Sequence, residues 1–125
     1  MTLYVDASDL DSLRRDLVGA AAQARAEAPE VVREEAAQVR KEWRANARRT
    51  AGKHGKHYPN SITMESREGA AWEIGPDSAY PQGGMGRGFE YGSVNQAPHL
   101  DGTKAAMNSE ARLEQSVADW AEKLL

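Results

Sequence analysis

Apolar positions along the chain change their spacing twice. Leu10, Leu13, Leu17, Ala20, Ala21, Ala24 and Ala28 recur at three- and four-residue steps, which places them on one face of an α-helix. Ser8 or Asp9 can cap its start, where acidic groups suit the positive helix end. Pro29 interrupts the stripe, because proline removes a hydrogen bond in mid-helix but fits the first turn of a new one. Val32, Ala36, Val39, Trp43 and Ala47 then resume it. The pattern predicts two helices, or one helix kinked at Pro29, from about residue 9 to about residue 50, ended by Gly52 and Gly55. Ahead of it, Leu3–Asp6 reads as a short extended stretch.

Beyond Tyr58 the spacing shortens to alternation. "SITMES" (Ser61–Ser66) and "AAWEIGPD" (Ala70–Asp77) read as two short strands joined by a turn at "REG", with Trp72 and Ile74 alternating with Glu73. "GFEYGS" (Gly88–Ser93) alternates Phe89 and Tyr91 around Glu90 and predicts a third strand. After the loop "VNQAPHLDG", a helix is expected from Asp101, with Leu113, Val117, Trp120 or Ala121, and Leu124 on one face. This order predicts an α+β fold in one domain, residues 1–125. A helical arm spans 1–52, and a small antiparallel sheet of three or four strands spans 58–96, with a glycine-rich loop at 80–88. A C-terminal helix at 100–125 packs on the sheet, since so few strands need a helical cover.

Composition makes that core thin. Apolar residues are 40% of the chain, many of them alanine, and aromatics are 6%. Stability that leans on a partner or on self-assembly is therefore expected. The absence of cysteine excludes disulfides, thiolate metal sites and cysteine nucleophiles, and makes a reducing compartment the default. No apolar run approaches the roughly 20 residues of a membrane span. The start "MTLYVDASDLDSL" lacks the basic and apolar segments of a signal peptide, so a soluble protein made in a cytoplasm is expected.

Charge is distributed in blocks. Residues 1–39 carry four basic and eight acidic groups, residues 40–57 seven basic and one acidic, and residues 58–125 five basic and ten acidic. Such segregation suits a nucleic-acid contact or a head-to-tail fit between copies, with a solvated helix face as the plain alternative. Arg40, Arg44 and Arg48 recur every four residues and line one helical face, able to meet an acidic partner or track phosphates. The segment lacks interleaved aromatics for base stacking, so any nucleic-acid contact would be non-specific.

No reaction chemistry emerges from the motifs. The cluster Gly83, Gly84, Gly86, Arg87, Gly88 does not lead from a strand into a helix and has no Walker lysine, so a mobile loop is expected rather than a phosphate cradle. His54 and His57 lie three apart with His99 elsewhere, but no carboxylate accompanies them in "HGKH" and the glycines oppose a helix there. A metal-dependent enzyme on these three histidines is the weakest of the alternatives. No nucleophile elbow is present, and no enzyme, cofactor or metal is expected.

The second half resembles the tail-completion, or head–tail joining, proteins of long-tailed bacteriophages. The resemblance rests on "YPNSITMES", Ile74-Gly75-Pro76, Phe89-Glu90-Tyr91-Gly92-Ser93, Ala97-Pro98-His99 and the helix from about Asp101. It departs where the family often has an aromatic and a second proline before the last helix; here Leu100 follows Pro98-His99. The resemblance implies a non-enzymatic virion protein in the head–tail neck, made in the host cytoplasm and assembled as a homo-oligomeric ring, usually a hexamer. Its neighbours would be the head connector and the tail tube or tail-terminator proteins, with genomic DNA passing through the lumen; a tail-terminator-type ring subunit is the close alternative. Within that reading, Phe89, Glu90, Tyr91 and Gly92 form a strand near a subunit interface. The 80–88 loop is then an arm ordered by a neighbour, and the Arg40, Arg44, Arg48 face meets a partner or the channel DNA. Outside it, a small non-specific nucleic-acid-binding module using residues 40–57 is the alternative.

Overall fold

The computed structural model of the chain describes residues 7–124. It consists of a long helix α1 (Ala7–Thr50), a hairpin of β1 (Ile62–Arg67) and β2 (Ala71–Pro76), a short helix α2 (Gly86–Tyr91) and a closing helix α3 (Asp101–Leu124). Single 3-10 turns at Lys53–Gly55, Tyr58–Ser61 and Gly83–Met85 connect them. The extended stretch expected at Leu3–Asp6 lies outside the described residues.

α1 runs unbroken through Pro29 for 44 residues, about 66 Å at 1.5 Å per residue. Proline deprives the carbonyl four residues earlier, that of Arg25, of its donor. Arg25, Ala26, Pro29 and Glu30 are all exposed, so water can reach that carbonyl. Of the two readings of the stripe, the single helix is the one formed. Arg48 and Arg49 in its last turn complement the negative helix end.

The sheet has two strands, not three or four. β1 and β2 pair antiparallel, from Ile62 opposite Pro76 to Arg67 opposite Ala71, and Gly69 at φ 73° turns the chain between them. Ile62, Met64, Trp72 and Ile74 share the inward face, while Arg67, on the outward one, lies 3.2 Å from Glu65 and donates to Glu73 at 2.7 Å. The expected third strand, 88–93, is instead the end of α2 and the turn after it. Alternation over three residues does not separate period 2 from period 3.6. A strand would turn Phe89 and Tyr91 to one side; here Phe89 and Glu90 are buried and Tyr91 is 68% exposed, as on a helix.

The main cover of the sheet is α1, while α3 packs principally along α1 in the opposite direction and meets the hairpin only where Ser109 and Leu113 share a small groove with Trp72 and Ile74. Asn46 Nδ2 donates to the Asp101 carbonyl at 3.0 Å, and Arg112 Nη1 to Glu42 at 2.6 Å, while Val117 and Trp120 lie across from Ala24 and Ala28. Arg112 also donates through Nε to Glu35 at 2.8 Å, so one guanidinium clamps two carboxylates a heptad apart on α1. The core is small: Ala47, Tyr58, Ile62 and Phe89, flanked by Trp43, Ala51 and Ile74.

Candidate functional site

Five of the residues that carry the resemblance, Tyr58, Pro76, Phe89, Glu90 and His99, lie around one node, where α2 abuts the start of α3. Phe89 stacks on Tyr58 with ring centroids 4.4 Å apart, and the imidazole of His99 lies tilted, 5.9 Å from Phe89. The strap 97–100 is held to α2 by two main-chain bonds, from His99 N to the Phe89 carbonyl (2.9 Å) and from Leu100 N to the Glu90 carbonyl (3.1 Å). These satisfy carbonyls that the end of a helix leaves without donors.

Glu90 holds the node electrostatically. The residue before α3 is Leu100, at φ 56°, whose side chain offers no oxygen to the first N–H groups of the helix. Glu90 supplies it from outside: its carboxylate accepts from Gly102 N at 2.9 Å and from Thr103 N and Thr103 Oγ1, each at 2.7 Å. A carboxylate at a helix N-terminus meets both the orphan donors and the positive end of the dipole. Asp101 ties the same turn to α1 by accepting from Thr50 Oγ1 at 2.7 Å. Sequence reasoning did not find this arrangement. The available signal was a helix beginning after leucine, with no Ser, Thr, Asn or Asp in the capping position.

Tyr58 is fully buried beneath the node, where its Oη faces the Trp43 indole N–H without a well-formed hydrogen bond. Burial pushes its phenol up to about 12; the Trp43 N–H opposes that rise, and the Glu90 and Asp101 charges add to it. The folded state therefore favours the neutral phenol, and that contribution is intact below the ordinary value near 10. It is lost as pH rises from about 10 through about 12. Alkaline titration followed at the tyrosinate absorption band should show Tyr58 ionising in step with unfolding in that window. Ionisation with the exposed tyrosines, while circular dichroism stays native, would contradict it.

The glycine cluster is a packed corner. Gly83 lies in a 3-10 turn and Gly86 starts α2, and both are buried. A Cβ on Gly83 would stand 1.8 Å from the Asp77 carbonyl oxygen, and one on Gly86 would stand 2.4 Å from Pro76 Cγ. Close approach is what these two glycines provide, to the Asp77 backbone at Gly83 and to the Pro76 ring at Gly86. Gly84 and Arg87 are exposed and Gly88 half-buried, with open space where a Cβ would project from either Gly84 or Gly88. The loop expected over 80–88 is thus a turn at 80–82, a 3-10 turn at 83–85 and the first half of α2. Gly92 closes that helix at φ 84°. Of the four residues expected at an interface, Phe89 and Glu90 face inward and only Tyr91 is well exposed.

The arginine face divides in the same way. Arg44 Nε donates to the Ile62 carbonyl at 2.8 Å, joining α1 to the start of β1. Burial, followed by the neighbouring Arg40 and Arg48 charges, lowers the pKa of that guanidinium. Arg40 is half-buried and Arg48 exposed, and Arg49, Lys53, His54, Lys56 and His57 are exposed just beyond. The basic block forms the end of the molecule where α1 stops. Among the described residues no three His, Asp or Glu side chains converge as a metal ion would require, and no helix is long and apolar enough to cross a membrane. No family model, curated protein or solved structure matches the chain.

Proposed function

We propose that the chain is a structural virion protein of a long-tailed bacteriophage, a ring subunit that joins the tail to the head connector. The observation that carries this reading is the convergence of the segments resembling that family. "YPNS", Ile74-Gly75-Pro76, "FEYGS" and "APH" interlock through the Tyr58–Phe89 stack, the Pro76–Gly86 contact and the bonds from His99 and Leu100 to α2. Residues scattered over some forty positions thus serve one packed module, which gives a physical reason for their occurring together. A thin core with much apolar surface left outside it fits a part that is completed by assembly.

In this reading the ring, usually a hexamer, sits at the neck beside the connector and the tail tube or its terminator, with DNA in the lumen. A label on this chain should decorate the head–tail junction in electron micrographs of virions. Its deletion should leave filled heads and tails unjoined, and joined particles without it would overturn the proposal. Arg40→Glu/Arg48→Glu, with Arg44 kept because it holds β1, should lower the yield of infectious particles without a change in thermal stability; unchanged yield removes the basic face from the function.

A second reading, a non-specific nucleic-acid-binding module, is favoured by the exposure of Arg48, Arg49, Lys53 and Lys56 at one end. It requires purified protein to bind duplex DNA with an affinity that falls steeply with salt.

A further inference from the structure

α3 accompanies α1 only as far as Ala24, and every described side chain from residue 7 to residue 19 is exposed. Yet this overhang carries the large apolar half of the α1 stripe: Leu10, Leu13 and Leu17 are 57%, 55% and 55% exposed. The stripe continues through Ala24 and Ala28 into a groove of about 350 Å³ formed with Val117 and Trp120 of α3. An isolated helix of this length is marginal in water, so the overhang needs something against its leucines.

The charges beside the stripe indicate what that is. At about 100° per residue, Asp9, Asp16 and Glu27 fall along one edge of the leucine face, and Arg14 and Arg25 along the other. Two such helices side by side in the same direction place the acidic edge of one against the basic edge of the other. Run in opposite directions, they would set acid against acid and base against base. The spacing Leu10, Leu13, Leu17, Ala20, Ala24 is the three–four alternation of a paired-helix seam, with Asp9 and Arg14 at its flanking positions. Arg14 already contacts Asp11 at 3.4 Å within its own helix, but an exposed pair of this kind is weak and gives way readily.

We infer that the N-terminal half of α1 is a self-association surface, on which a second copy of this chain lies with its α1 parallel and in register. Subunits around a rotation axis, with their arms along it, present this arrangement to each neighbour. The inference rests on reading the chain as an assembly subunit and not on the phage assignment.

The test uses the full chain, which has no cysteine of its own. Sedimentation at micromolar concentration should show an oligomer. Leu13→Glu/Leu17→Glu, at positions exposed in the single subunit, should shift it to monomer, weakening association at least about tenfold, while helix content by circular dichroism stays unchanged. Under oxidation L10C alone and L17C alone should each form a disulfide-linked dimer, and a mixture of the two should yield few crossed dimers. A parent that stays monomeric overturns the inference, as do crossed L10C–L17C dimers in place of the like pairs. A monomer that nonetheless labels virion necks would remove this surface and leave the neck reading standing; an in-register oligomer absent from virions would do the reverse.

Discussion

Phe89→Ala is expected to lower the free energy of unfolding by about 3 to 5 kcal/mol, the range for removing a buried aromatic ring. Phe89 is 4% exposed, stacks on Tyr58, and has its ring edge against Gly55, where a Cβ would stand 2.7 Å from Cζ. Gly55 has no side chain that could move in, and Tyr58 is held by its own 3-10 turn, so the cavity collapses poorly. A small domain is stable by about 5 to 15 kcal/mol in all. With only Ala47, Tyr58, Ile62 and Phe89 at the centre, that loss is a large share of the total. Urea unfolding measures it, and Phe89→Leu, which refills part of the space, should cost less than half as much. A change below about 1 kcal/mol for the alanine variant would show that the ring is not in the core.

Glu90→Ala is the second large effect. It removes the acceptor for Gly102 N, Thr103 N and Thr103 Oγ1 together and leaves the first turn of α3 without a cap. Hydrogen bonds to a charged group contribute about 1.5 to 3 kcal/mol each, and a lost cap typically costs about 1. The three share one carboxylate and are not additive, so a net loss of about 3 kcal/mol is expected. In a domain of this size that is a fall in Tm of about 10 °C. The specific signature is faster hydrogen exchange at the Gly102 and Thr103 amides than elsewhere in the core. Glu90→Gln keeps an acceptor but loses the charge, and should fall between parent and alanine. Equal stability of Glu90→Ala and the parent would remove Glu90 from this role.

Both residues belong to a stretch whose importance was legible in the sequence while its conformation was not. "FEYGS" satisfies strand alternation because three residues cannot reveal a period. What decides for a helix is that Phe89 and Glu90, adjacent in the chain, both turn inward to different partners, the ring to Tyr58 and the carboxylate to α3. Those partners lie far away in sequence, so no local pattern holds them. The glycine run misled for a related reason. Composition alone suggests freedom, but Gly83 and Gly86 are small because Asp77 and Pro76 press against them.

The sequence by itself determined what depends on spacing along one element: the helical stripe from Leu10 to Ala47, the hairpin with its turn at Gly69, and the closing helix from Asp101. It also set the division of charge along the chain, which needs no fold to be read. Only the tertiary structure decided which surfaces those elements cover. α3 is 24 residues long and α1 is 44, so α3 stops near Ala24, and the leucines before it are left outside while Ala36 and Ala47 after it are buried and Trp43 is half-buried. Pairing in space settled the rest: Glu90 became a cap because Leu100 could not be one, and Arg44 became a clasp because the carbonyl of Ile62 lay in reach. A periodic pattern specifies a face, but the partner of that face is fixed by lengths and directions that only the packed chain supplies.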